Sequence, residues 1–132
     1  MAYRAWESTN YRVLATAAEL AAWIDALYHR KTVLSEAMLA EMLDYHSPTP
    51  NDFPLSGYGL GVCYFSRSDA NQLFGVEETV LGHVGNGIDY KAAALYLPAH
   101  GLSVVTMINE DSIPGLIGVF QAVLRTALER SD

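Results

Sequence analysis

The stretch from Leu81 to Asp111, LGHVGNGIDYKAAALYLPAHGLSVVTMINED, decides how the chain is read. Lys91 to Leu97 and Leu102 to Asn109 are two runs of strand length, rich in β-branched and aliphatic residues. Pro98-Ala99-His100-Gly101 joins them, and so short a connection favours antiparallel pairing. Both runs are apolar at most positions, which predicts central strands covered on both faces. A third strand is predicted over about Glu78 to Val84, followed by a flexible break at Gly85-Asn86-Gly87.

Upstream of this block the period of the apolar residues changes. Tyr58, Leu60, Val62 and Tyr64 alternate with Gly59 and Gly61, predicting one strand with the four side chains on a shared face. The two glycines suggest a bend, or another backbone approaching closely. Asp69 to Gly75 reads as a loop with at most a turn of helix, and the Pro/Asn/Asp-rich segment from Ser47 to Ser56 as a loop. Further back the period is near 3.6. Thr16 and Glu19 have the T-x-x-E form of a capping box, and Leu20, Trp23, Ile24, Leu27 and Tyr28 make one apolar stripe. Ser35 is an N-cap for a second helix carrying Met38, Leu39, Met42 and Leu43, which ends near His46 before Pro48 and Pro50. Beyond the strands, Ser112 and Pro114 start a last helix with Leu116, Ile117, Phe120, Val123, Leu124 and Leu128 on its inner face. The fold class is α+β: an antiparallel sheet of about four strands, two N-terminal helices and one C-terminal helix. Residues 1–14 are weakly patterned, an arm with a short strand around Tyr11–Leu14 at most, and residues 15–132 form the domain.

Composition limits what such a domain can do. The chain has 132 residues, 51% hydrophobic and 17% charged, enough apolar content for a packed core and too much for a disordered chain. Fifteen acidic residues against 8 basic ones give a net charge of −7, and no basic cluster offsets it. Nucleic acid is therefore not an expected partner. No apolar run reaches the ~20 residues of a membrane span, and the start has no apolar signal-peptide core, so the expected location is cytoplasmic, away from membranes. Cys63 is the single cysteine, in an apolar alternating stretch, and reads as a buried, inert thiol. His29, His46, His83 and His100 lack metal-ligand spacing, and Gly85-Asn86-Gly87 lacks the helix and Lys-Ser/Thr of a phosphate loop. No metal and no cofactor are expected. Glu77, Glu78 and Asp89 read as solvated loop charges, and Trp23, Tyr28, Tyr58, Tyr64 and Tyr96 as packing residues.

The order of these segments resembles the C-terminal part of the serine β-lactamase and penicillin-binding-protein family, in its class C β-lactamase, D-alanyl-D-alanine carboxypeptidase and esterase branch. The residues that carry the resemblance are Gly82-His83-Val84-Gly85 (a Lys/His-x-Gly strand), Asn86-Gly87, Ala92–Leu97, Pro98–Gly101 and Leu102–Asn109. Tyr58-Gly59-Leu60-Gly61-Val62 looks like the strand before that motif. Ala15 to Ala21 and Leu34-Ser35-Glu36 look like its helix starts. The resemblance spans about residues 15–128 and implies a partial β-lactamase-like fold. It also implies a ligand site at His83, Val84, Gly85 and Asn86, where an edge strand offers backbone groups to a small molecule or peptide.

The departures are chemical. In the family a Ser-x-x-Lys pair places an amine one helical turn from the nucleophilic hydroxyl. The 132 residues contain no such pair: three residues before Lys31 and Lys91 stand Tyr28 and Ile88. Tyr45-His46-Ser47 resembles a Tyr-x-Ser element but falls on the wrong side of the helices that should follow it. Val84, at the middle motif position, cannot hydrogen-bond a substrate carboxylate through its side chain. No residue is therefore assigned a catalytic role. The expectation is a truncated, non-catalytic module that binds or supports, not an enzyme on its own. Alternatively it is one subunit of a split serine hydrolase whose Ser-x-x-Lys and Tyr-x-Asn elements come from another chain. The apolar strand 102–109 would lack the neighbours it has in the family. The expectation is that residues 1–14 cover it or that a homodimer forms through it.

Overall fold

The computed structural model describes residues 14–45, 55–87 and 90–130. The antiparallel sheet has five strands in chain order: β1 Gly57–Tyr58, β2 Cys63–Phe65, β3 Val80–Asn86, β4 Lys91–Leu97 and β5 Leu102–Ile108. Four helices accompany it: α1 Ala17–Ile24, α2 Glu36–Met42, α3 Arg67–Phe74 and α4 Ile113–Glu129. Asp25–His29 continues α1 as a π-helical turn. The class is α+β, as the pattern predicts.

The caps explain where helices start. The Thr16 hydroxyl accepts from the Glu19 N–H at 3.2 Å while the Glu19 carboxylate accepts from the Thr16 N–H at 2.8 Å, which completes the capping box. Ser35 caps α2 and Ser112 caps α4 through side-chain oxygens that accept from Met38 and Gly115 N–H groups. α2 is shorter than expected and gives way at Leu43, whose backbone has left the helical region. His46 and the 47–54 part of the predicted loop lie outside the described residues, as does the arm through residue 13 and its short strand.

Each face of the sheet carries its own helices. Under α3 and α4, Phe74, Leu116, Phe120 and Leu124 pack on Phe65, Ala93, Leu95, Leu97 and Val104. Under α1 and α2, Ile24, Leu27, Tyr28 and Leu39 pack on Val62, Leu81, Ala94 and Tyr96. Alternation along β4 sends Ala93, Leu95 and Leu97 to one core and Ala94 and Tyr96 to the other, so β4 is buried on both faces. β5 departs from the expectation of a central strand. It is the last strand in the sheet order, and Met107 on it remains exposed.

Three further differences have local causes. The single strand expected over Tyr58–Tyr64 is a hairpin: Tyr58 pairs with Cys63, and Gly59 to Val62 make the turn. Gly61 has a positive φ of 73°, which a side chain disfavours, so the chain reverses there. Leu60 ends up exposed and Val62 fully buried, where a continuous strand would have put them on one face. Gly59 also provides the close approach its type suggested, since a side chain there would run into the Met42 carbonyl oxygen. The segment expected as a loop from Asp69 is helix α3, capped by Ser66, whose hydroxyl accepts from Asp69 N–H, and ended by Gly75. β3 runs on to Asn86, through the Gly85-Asn86 step expected to break it, because Gly85 and Asn86 still pair with Ala92 and Lys91.

Candidate functional site

β3 has unequal neighbours. On one side β4 pairs with it from Leu81 to Asn86, whereas on the other β2 covers only Val80 to Gly82. β2 stops at Cys63 because the chain turns through Gly59–Val62. The outer edge of His83–Asn86 therefore has no strand beside it among the described residues. The four residues singled out in the sequence occupy that free half-edge as one continuous segment.

Their side chains do different things. His83, opposite Ala94 in the register, is exposed, and its Nε2 lies 3.0 Å from the Tyr58 hydroxyl. The two rings meet edge to face, 5.9 Å between centroids at 74°. Burial raises the Tyr58 pKa, so at neutral pH its hydroxyl is protonated and can either donate to the imidazole or accept from it. Val84 faces the opposite way. It packs against the core under α3 and α4, and its backbone N–H donates to the Cys63 sulfur. Alternation along an antiparallel strand then turns the Val84 carbonyl and the Asn86 N–H and C=O toward that same outer edge. Asn86 has an exposed side chain, and the open side of Gly85 holds no Cβ to block a ligand backbone.

Cys63 is buried, and burial raises its thiol pKa, a protonated and inert sulfur as its apolar setting predicts. Gly82 fixes the local geometry. Its φ is 142°, and a Cβ there would collide with the Ala94 carbonyl oxygen and stand 2.9 Å from Leu95 Cα. Only a glycine lets β3 and β4 close at the residue before His83.

The aromatic and charged residues split between expectation and correction. Tyr28 and Tyr96 stack at 5.9 Å, and Tyr64 stacks on Tyr45 at 4.6 Å, as packing residues. Trp23, expected as a packing residue, instead lies half exposed on α1. Tyr58 is only partly packing, since its hydroxyl belongs to the His83 pair. Glu78 is also a correction. It is buried, accepts the Ala99 N–H at 2.8 Å and pairs with His100 Nδ1, so it pins the 98–101 turn. Asp89 lies outside the described residues. Lys91 is buried, donating to the Gly87 carbonyl and ion-paired with Asp111. A cleft of about 390 Å³ lies elsewhere, between Phe74–Val76 and the Gln121, Arg125 and Leu128 side of α4.

No protein-family model and no curated protein matches the chain. Among solved structures it is similar to the crystal structure of a D-stereospecific amidohydrolase from Streptomyces sp., with 24% identity and a TM-score of 0.57. The likeness covers 74% of this chain and 26% of that one, so the chain spans about a quarter of the amidohydrolase. The fold is β-lactamase-like. Among the described residues, no helix is long and apolar enough to cross a membrane.

Proposed function

We propose that the chain is a catalytically incomplete β-lactamase-like module whose role is binding, with a small molecule or peptide held in extended form along His83–Asn86. The observation that carries this reading is the free outer half of β3 beside the Tyr58–His83 pair. Main-chain groups of Val84 and Asn86 supply strand-like hydrogen bonds, and His83, Tyr58 and Asn86 supply polar contacts around them. Chemistry supports reading the chain as non-catalytic. There is no Ser-x-x-Lys, Lys91 is held by Asp111 and the Gly87 carbonyl, and Lys31 sits exposed at a positive φ of 52°. Neither amine is placed as a general base.

Intact-mass spectrometry after incubation with a fluorescent penicillin and a fluorophosphonate tests the incompleteness. No mass increase is expected, and a stoichiometric adduct would refute it. Amide NMR shifts on titration with an N-acetylated peptide amide of D-alanine test the place. The name of the amidohydrolase suggests that class of probe. Shifts are expected at Val84 and Asn86 and weakened by His83→Ala, while shifts confined to other strands would refute the site.

A second reading, one subunit of a split serine hydrolase, is favoured by the 26% share of the amidohydrolase that this chain matches. It requires a separate chain bearing Ser-x-x-Lys and Tyr-x-Asn. Probe labelling of that chain, dependent on the presence of this one, would decide for it.

A further inference from the structure

The far edge of the sheet is unlike the His83–Asn86 edge. β5 reads Leu-Ser-Val-Val-Thr-Met-Ile, with no charge and no proline, and among the described residues it has β4 on one side and no strand on the other. Edge strands left open usually carry a charge, a proline or a bulge that prevents further pairing. α4 extends the same border. Its core residues are Leu116, Phe120 and Leu124, and on one flank Gln121 donates to the Leu73 carbonyl of α3 at 2.8 Å. α3 contacts β2 whereas α4 lies on β4 and β5, so the flank carrying Gln121 points toward β2. The opposite flank therefore overhangs the open edge of β5. Val119, Val123, Thr126 and Arg130 occupy that flank at helical spacing. Val119 and Val123 are 43% and 42% exposed, and Met107 on β5 is 42% exposed.

We propose that this border is a self-pairing surface, and that two copies join β5 to β5 antiparallel about a two-fold axis to make one continuous sheet. A second copy fits because the surface is self-complementary. An axis perpendicular to the sheet keeps α4 and its mate on the same face and runs them antiparallel. Val119 and Val123 then meet the partner's Val123 and Val119. Arg130, at the C-terminal end of the stripe, comes to the start of the partner's α4, beside the partner's Glu110. That pairing offsets locally the repulsion between two chains of charge −7.

Sedimentation equilibrium over concentrations up to on the order of 100 µM tests the proposal. The expected mass is twice the 14.4 kDa of the chain. Val123→Glu and Met107→Lys change exposed side chains, so the monomer keeps its circular dichroism. Each is expected to weaken the dimer by at least about tenfold by placing charge in an apolar contact. Arg130→Glu weakens it as well, and mixing that variant with Glu110→Lys restores a heterodimer in which both charge pairs are reformed. A wild-type mass of 14.4 kDa throughout would overturn the proposal, as would variants that dimerise unchanged. So would a monomer whose β5 amides are protected from exchange, since another segment would then be covering the edge.

Discussion

Replacing Gly82 with alanine should be among the most damaging single-methyl changes in this chain. Two effects add at that position. The φ of 142° lies where an L side chain is strained, at about 1–3 kcal/mol. The new methyl would also overlap the Ala94 carbonyl oxygen and approach Leu95 Cα at 2.9 Å, and both are backbone atoms of a fully paired strand. They cannot rotate away, so β3 and β4 must separate at that rung, which adds roughly 1–3 kcal/mol. A total near 4 kcal/mol is a large share of the ~5–15 kcal/mol that stabilises a domain. Two neighbouring glycines are controls. Gly61→Ala meets nothing within 4 Å but sits at φ 73°, so only the conformational cost of about 1 kcal/mol applies. Gly85→Ala makes an ordinary 3.6 Å contact with Ala92 Cβ and should stay within about 0.5 kcal/mol of the parent. Urea unfolding followed by circular dichroism measures all three. With a slope of roughly 2 kcal/mol per M, the midpoint should fall by about 2 M for Gly82→Ala and about 0.5 M for Gly61→Ala. A Gly82→Ala protein as stable as Gly85→Ala would refute the claim that β3 and β4 close on an absent side chain.

Three further perturbations probe other parts of the fold. Leu95→Ala, at a fully buried position of β4 in the core under α3 and α4, should cost about 2–5 kcal/mol in the same urea assay. Thr16→Ala removes the N-cap oxygen of α1 and should cost about 1 kcal/mol near neutral pH. Hydrogen bonds from the Thr16 backbone and side chain hold the Glu19 pKa below its ordinary 4.5. The stabilisation from that carboxylate is therefore present above pH 4.5 and lost as pH falls through the lowered folded value, so the gap between Thr16→Ala and parent should shrink in acid. In alkali the sign reverses. Burial pushes Tyr45 up to about 12 from 10.0, and burial also raises Tyr28. The stability that comes from keeping these phenols neutral is complete below pH 10 and lost as pH rises through the folded values. Phenolate absorbance at 295 nm should then rise together with loss of circular dichroism. Tyr45→Phe, by removing one such phenol, should move the alkaline midpoint upward.

What could be read in advance was local, and what could not was mostly contact across the fold. The helix starts at Thr16, Ser35 and Ser112 were legible because a cap is a side chain bonding to backbone three residues on. The pair of strands around Pro98–Gly101 was legible because the connection leaves only one geometry. Helix α3 has the same kind of signal, Ser66 followed by Asp69 and a terminal Gly75. Its apolar residues, Ala70, Leu73 and Phe74, are too few to set a period, and a cap alone does not distinguish a helix from a loop turn. The hairpin at Gly59–Val62 escaped for another reason. Alternation of apolar residues and glycines looks the same in one straight strand and in two short strands with a tight turn. The resemblance points to His83–Asn86 as an edge-strand site, but not to the β2 cover that leaves only half of that edge free, nor to the partner Tyr58. Tyr58 is 25 residues away, and only the hairpin brings its hydroxyl to the imidazole. The same holds for Glu78 and His100, 22 residues apart.

Among the described residues the outer half of β3 and the whole of β5 have no strand beside them, and the two open edges argue for different occupants. At β3 the free edge is four residues long, carries the exposed polar side chains of His83 and Asn86, and begins at a Gly82 that fixes its geometry without an incoming strand. Water satisfies such an edge, so a ligand can come and go without cost to the fold. At β5 the edge runs seven residues, bears apolar side chains, and is bordered by the valines of α4. Leaving it in water keeps Met107, Val119 and Val123 exposed, and those are the side chains that a durable partner would bury. A short polar half-edge suits exchangeable recognition, and a long apolar edge suits permanent assembly. If dimerisation and ligand binding both occur, they use edges that face away from each other on either side of β4. The dimer-breaking change Val123→Glu should then leave peptide-induced shifts at Val84 and Asn86 in place, and loss of those shifts on dimer dissociation would show that the two edges are not independent.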